Sequence, residues 1–163
     1  MNKEIMAYDE ARYVDVAGYG ASATNIQLMN VGFNKFDENS NPTEKSTQYI
    51  GDKSKTNTVT GYDNQFAIES DRIKNDSVND YCYDVFINRK TGSSAQTYLY
   101  IVDLSEETAT NTYKARRIRV STVIESCTNN PGETKVFSGS FKGIGDFTYG
   151  TFNTSTKTFT ETV

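Results

Sequence analysis

The sequence predicts a mainly β protein, a β-sandwich or barrel-like domain with one flanking α-helix at about residues 77–90. Three observations carry this. The chain is only 36% hydrophobic with a mean hydropathy of -0.63, yet it holds 11 Tyr and 9 Phe, which implies a thin aromatic core beneath much polar sheet surface. Apolar and polar residues alternate in Thr58 to Ile68 and in Tyr113 to Glu125, as in half-buried strands. Helical spacing of apolar residues occurs convincingly in one place.

Taken in order, residues 1–24 run through Tyr13-Val14-Asp15-Val16 into Gly18, Gly20, Ala21, Ser22 and Ala23, which suggests an N-terminal arm outside the core. Asn25 to Phe36 is expected to be one strand, with a bulge near Met29 and Gly32. Residues 37–57 are polar loop around a short strand at Thr47 to Ile50, and the strands on either side can form one long hairpin. Between Thr58 and Ile68, the residues Thr58, Thr60, Tyr62, Phe66 and Ile68 share one parity, so one face is buried.

The helix follows. Asp76 or Ser77 can cap it, and Val78, Tyr81, Cys82, Val85 and Phe86 fall at i, i+3, i+4, i+7 and i+8 as its core stripe. Arg89 and Lys90 close the last turn, and Gly92 stands beyond. Tyr98 to Val102 is apolar on both faces and reads as a central strand; Ser105 to Thr112 is a polar turn; Tyr113 to Glu125 returns as its hairpin partner. Asn129-Asn-Pro-Gly132 is expected to be a turn, with Pro and Gly placed as a type II turn prefers. Two strands, Val136 to Phe141 and Phe147 to Asn153, and a last one at Lys157 to Thr160 complete the chain.

At 163 residues the expectation is a single domain spanning 1–163. The balance of 17 basic and 21 acidic residues argues against a general nucleic-acid binder, which needs cations to neutralise phosphate. No apolar stretch reaches bilayer-spanning length, and the start lacks the apolar run of a secretion signal, so no membrane partner and free thiols at Cys82 and Cys127 are expected.

Little chemistry is visible. The chain has no His, so the commonest general base is missing, and with only two Cys it cannot close an ordinary zinc site. The glycines at 139, 143 and 145 precede no helix and match no phosphate-binding pattern. We therefore expect no enzyme activity, no catalytic residues, no metal and no cofactor. Lys114, Arg116, Arg117 and Arg119 form the one basic cluster; they read as a charged strand face turned to solvent or to a neighbouring subunit.

Three segments, "TQYIGDKSKTNTVTGYDNQFAIESDRIKND" (47–76), "YLYIVDL" (98–104) and "FSGSFKGIGDFTYGTFNTSTKTFT" (137–160), together with the helix between the first two, resemble the tail tube or major tail proteins of tailed bacteriophages. The resemblance implies a virion protein, assembled in the bacterial host cytoplasm, whose hexameric rings stack into a hollow tail tube for DNA ejection. Region 37–57 then corresponds to the loop that contacts the next ring, with Glu38, Glu44, Lys45, Asp52, Lys53 and Lys55 as stacking candidates. Implied partners are the homo-hexamer, the tape measure protein, the tail terminator, distal tail or baseplate proteins, a sheath, and phage DNA as weakly contacted cargo. Six copies would carry 6 × (-4), about -24, which disfavours phosphate sticking. The alternatives are a carbohydrate-binding or adhesin-like β-sandwich module and the tube of a phage-tail-like bacteriocin.

Overall fold

Alternation dictates a sheet, and a sheet is what forms. A computed structural model describes residues 1–162. Its strands are β1 (Glu10–Asp15), β2 (Ile26–Leu28), β3 (Phe33–Asn39), β4 (Thr43–Thr47), β5 (Thr56–Gly61), β6 (Gln65–Asp71), β7 (Gln96–Ala109), β8 (Thr112–Thr128), β9 (Val136–Asn153) and β10 (Thr158–Glu161), with α1 (Ser77–Ile87) between β6 and β7. Seven strands run in the order β2-β1-β7-β8-β9-β6-β3, β10 adds to β9, and β4-β5 stand apart as a two-stranded ribbon. All pairings are antiparallel.

The main sheet curls into a half-barrel. Inside it, Val14, Phe66, Ile68, Leu99, Ile101, Ile118, Val120, Phe137 and Phe141 form the larger core, closed by Val78 and Cys82 of α1. Arg12 of β1 lies over the Phe36 ring of β3 at 4.6 Å, joining strands near opposite ends of the sheet path. On the other face Tyr13, Ile26, Tyr100, Val102, Ala115 and Phe152 make a second cluster, and Phe159 of β10 packs against it. Strand β7 is thus buried on both faces at Leu99 to Val102, as its uniform apolarity requires.

Several boundaries differ from the sequence reading, each for a local reason. Residues 1–24 are not simply an arm: β1 pairs with β7, and Val14 is fully buried. Asn25 to Phe36 is two strands rather than one bulged strand. Gly32, at φ +84°, turns the chain so that β2 joins one end of the sheet and β3 the other, and a Cβ there would lie 2.8 Å from the Asp71 carbonyl.

Thr58 to Ile68 likewise divides into β5 and β6 at Tyr62 to Asn64. The expected turn at Ser105 to Thr112 shrinks to Thr110-Asn111, with Asn111 at φ 56°, because β7 continues outward to Ala109. Conversely, the two strands expected at Val136 to Phe141 and Phe147 to Asn153 are one, bent at Gly145. The Asn130 to Glu133 turn forms as expected, closed by the Glu133 amide on the Asn130 carbonyl at 3.1 Å, with Gly132 at φ 77°.

Helix α1 begins where its cap predicts: the Asp76 side chain accepts the Asn79 amide. It ends at Ile87, three residues before Lys90. Arg89, at φ 49°, takes the left-handed position expected of Gly92, and the Lys90 amide reaches back to the Val85 carbonyl at 3.2 Å.

Candidate assembly surfaces

The long hairpin is articulated. Its lower half is β3 with β6, bonded into the body; its upper half is the β4-β5 ribbon, in which no residue is buried. Both strands break at one level, Ser40 to Pro42 against Tyr62 to Asn64, where the Asp63 amide bonds the Ser40 carbonyl at 2.9 Å and Asn41 Nδ2 donates to the Asp63 carbonyl at 3.0 Å. At strand rise the ribbon projects roughly 20 Å. At its end Tyr49 is 75% exposed and Ile50 fully exposed, an apolar tip presented to solvent.

The six loop candidates fall into three groups. Glu44 and Lys45 lie on β4, Lys53 and Lys55 in the turn that joins it to β5, and none of the four makes an ion pair among the described residues. Asp52 works inside the tip, its carboxylate accepting the Tyr49 amide at 2.9 Å. Glu38 is not on the ribbon at all; it sits near the end of β3 in a bidentate pair with Arg116 of β8. The structure therefore removes it from the freely available charges.

The basic cluster is not one face, which corrects the sequence reading. Strand alternation sends Lys114 and Arg116 to one side and Arg117 and Arg119 to the other. Lys114 pairs with Glu106 at 3.4 Å, and Arg116 with Glu38 while stacking on Phe147 at 4.6 Å. Arg117 lies 5.0 Å from both the Tyr98 and Phe159 rings, and Arg119 lies 3.7 Å from the Tyr19 ring and donates from Nε to Gln96 Oε1 at 3.1 Å. Each cation is already engaged within its own subunit.

Under α1, Val78, Cys82 and Val85 are buried, while Tyr81 and Phe86 lie half-buried at its sides. Burial pushes the Cys82 thiol up and holds the Tyr81 phenol up at about 12. A residue that periodicity did not select anchors the seam. Asn79, fully buried, donates from Nδ2 to Ser70 Oγ at 2.9 Å and the Asp71 carbonyl at 2.8 Å, and accepts the Ile73 amide at 3.0 Å and Arg72 Nη1 at 3.1 Å. Its signal in the sequence was only an amide beside the apolar stripe.

At the foot of the ribbon Glu38, Ser40, Tyr62, Asn64, Asp146 and Tyr149 surround a groove of about 430 Å³. Among the described residues no cluster of His, Cys, Asp and Glu is arranged to hold a metal, and no helix is long and apolar enough to cross a membrane. The exposed features are therefore edges, a ribbon and aromatic side chains. Strands β2, β3 and β10 each pair on one side only, leaving backbone donors and acceptors free for further pairing.

Neither a protein-family model nor a curated protein sequence matches this chain. Solved structures do. The fold is similar to a chain of the tail of an empty GTA particle with C6 symmetry, at TM-score 0.60 and 9% identity, over 90% of this chain and 98% of that one. It is similar to the SPP1 tail tube at TM-score 0.65 and 16% identity, over 87% of this chain and 77% of that one. A chain of the anti-feeding prophage baseplate matches at TM-score 0.53 and 6% identity, over 91% of this chain and 97% of that one. The protein has the β-rich tail-tube fold.

Proposed function

We propose that this protein is a non-enzymatic structural subunit of a tail tube, and that six copies form a ring whose stacking builds a hollow conduit for DNA ejection. The observation that carries the reading is the end-to-end likeness to a chain from a C6-symmetric tail, 90% of one chain on 98% of the other. The subunit's own surface supports it. At 18.2 kDa a compact monomer exposes about 8,100 Å², whereas this chain exposes 10193 Å², about a quarter more. The exposed segments include the ribbon, in which no residue is buried, and residues 1–8.

In this reading Glu44, Lys45, Lys53 and Lys55 make the salt-sensitive contact between rings, with Tyr49 and Ile50 as its apolar centre. Residues 43–61 carry three Lys against two acids, +1, while the rest of the chain carries 14 basic and 19 acidic residues, -5. Opposite net charges favour a ribbon docking on the body of another copy. The tube lies in a virion assembled in the host cytoplasm, where it meets a tape measure protein, a terminator, distal tail or baseplate proteins and a sheath, with DNA as weakly bound cargo.

Deleting Lys45 to Lys55 tests this. The expected outcome is a subunit that keeps its melting temperature within a few degrees but forms no tubes by electron microscopy; tubes of normal length would contradict the assignment of the ribbon. The foot groove supports one other reading. Tyr62 and Tyr149, 64% and 65% exposed, beside Asp146 and Asn64 have the stacking and hydrogen-bonding chemistry of a carbohydrate-binding module. Saturable glycan binding by a persistent monomer would favour it over the tube.

A further inference from the structure

A ribbon that is to meet a neighbouring copy must leave its body in a fixed direction. Its own contacts go part of the way: β4 and β5 bury no residue, and where both strands break, at Ser40 to Pro42 and Tyr62 to Asn64, the Asp63 and Asn41 bonds tie the two strands to each other and the Gly143 amide on the Asn64 carbonyl at 2.7 Å ties one of them to β9. Just below the break lies Glu38. Of the ion pairs among the described residues, six join residues at most eight positions apart; Arg116 with Glu38 joins residues 78 apart.

We propose that the Arg116–Glu38 pair, seated on Phe147, is a clasp that positions the ribbon, holding the end of β3 against β8 so that the ribbon's contact residues face the adjoining copy. The proposal rests on the tube reading above. Arg116 and Glu38 act as positioning residues, through the direction they give the ribbon.

The geometry suits this role. In the sheet path, β9 and β6 separate β8 from β3, so a direct contact between the outer two spans the curl and fixes its closure there. A guanidinium fork on both carboxylate oxygens constrains distance and twist together, whereas an ammonium would constrain distance alone. The base of the clasp is built onto the aromatic core. Phe147, under Arg116, meets Phe66 edge-on at 6.1 Å, Phe66 stacks on Phe36 at 5.5 Å, and Phe36 carries Arg12 at 4.6 Å. That row of side chains runs β8, β9, β6, β3, β1 and ties the clasp to the buried core. The pair's side chains are 29% and 31% exposed, so solvent screens it only in part.

Backbone residual dipolar couplings on the unassembled subunit test the proposal directly. In the wild type, one alignment tensor should fit the ribbon (43–47 and 56–61) and the strands β7 to β9 alike. In Arg116→Lys, which keeps the charge but loses the fork, and in Glu38→Gln, ribbon couplings should shrink at least about twofold while those of β7 to β9 and the melting temperature stay unchanged. The exchanged pair Glu38→Arg/Arg116→Glu should restore them. Full-sized ribbon couplings in both single variants overturn the clasp. Tube assembly by the same proteins separates the two claims: shrunken couplings alongside a wild type that never assembles would support the clasp and reject the tube.

Discussion

Asn79 shows how one polar side chain can organise a seam that apolar residues merely fill. Both amide protons and both carbonyl lone pairs are used, and their partners lie on Ser70, Asp71, Arg72 and Ile73, the end of β6 and the lead into α1. Replacement by Ala leaves the part-buried Ile73 amide without its acceptor and the Asp71 carbonyl with the Ser70 hydroxyl as its remaining side-chain donor. Asn79→Ala should therefore cost about 3 kcal/mol, seen as a lowered urea midpoint with an unchanged slope. A cost below about 1 kcal/mol would mean that water replaces the amide. Periodicity cannot find such a residue, because it scores the apolar stripe and treats amides as surface. The same blindness explains the basic cluster. Its composition was legible, but the carboxylate and rings that absorb Arg116 and Arg117 come from residues as distant as Glu38 and Phe159.

At the scale of elements, the sequence was clearest where one interaction dominates. Alternation marks β6, amphipathic spacing with an Asp cap marks α1, and Pro131-Gly132 marks the turn before β9. It was unclear where the deciding neighbour is remote. Gly32 and the sheet positions of β2 and β3 depend on which edge each strand joins, and the polar stretch after Leu104 remains a strand only because β8 pairs with it. The helix-to-sheet seam has a pH dependence that follows from its burial. Folded Cys82 and Tyr81 hold their protons beyond their ordinary values of 9.0 and 10.0. The unfolded chain releases those protons first as pH rises, so deprotonation favours unfolding. Stability should hold up to about pH 9 and fall from there towards pH 12. Cys82→Ala should move the onset to about pH 10, read from urea midpoints at a series of pH values; a midpoint flat to pH 11 would contradict this.

For the whole molecule the governing fact is a surface about a quarter larger than a compact monomer of this mass exposes. The half-barrel closes around one core, yet β2, β3 and β10 keep free edges and the ribbon stands in solvent. Sheet edges are a hazard in a monomer and a joint in a ring. Ordering the ribbon costs conformational entropy that its few internal bonds only partly offset, which makes sense if neighbours supply the rest. Salt dependence belongs to this scale too: four charges of residues 43–61 have no ion-pair partner among the described residues, so in the proposed tube raising ionic strength should weaken association between rings before it unfolds a subunit. The most direct measurement is electron microscopy of the purified, concentrated protein at moderate salt. Hollow rings or tubes of uniform width with six-fold symmetry are the predicted result. Closed assemblies of a different symmetry, or a protein that stays monomeric even when mixed with preformed tail-tip complexes as initiators, would contradict the tube.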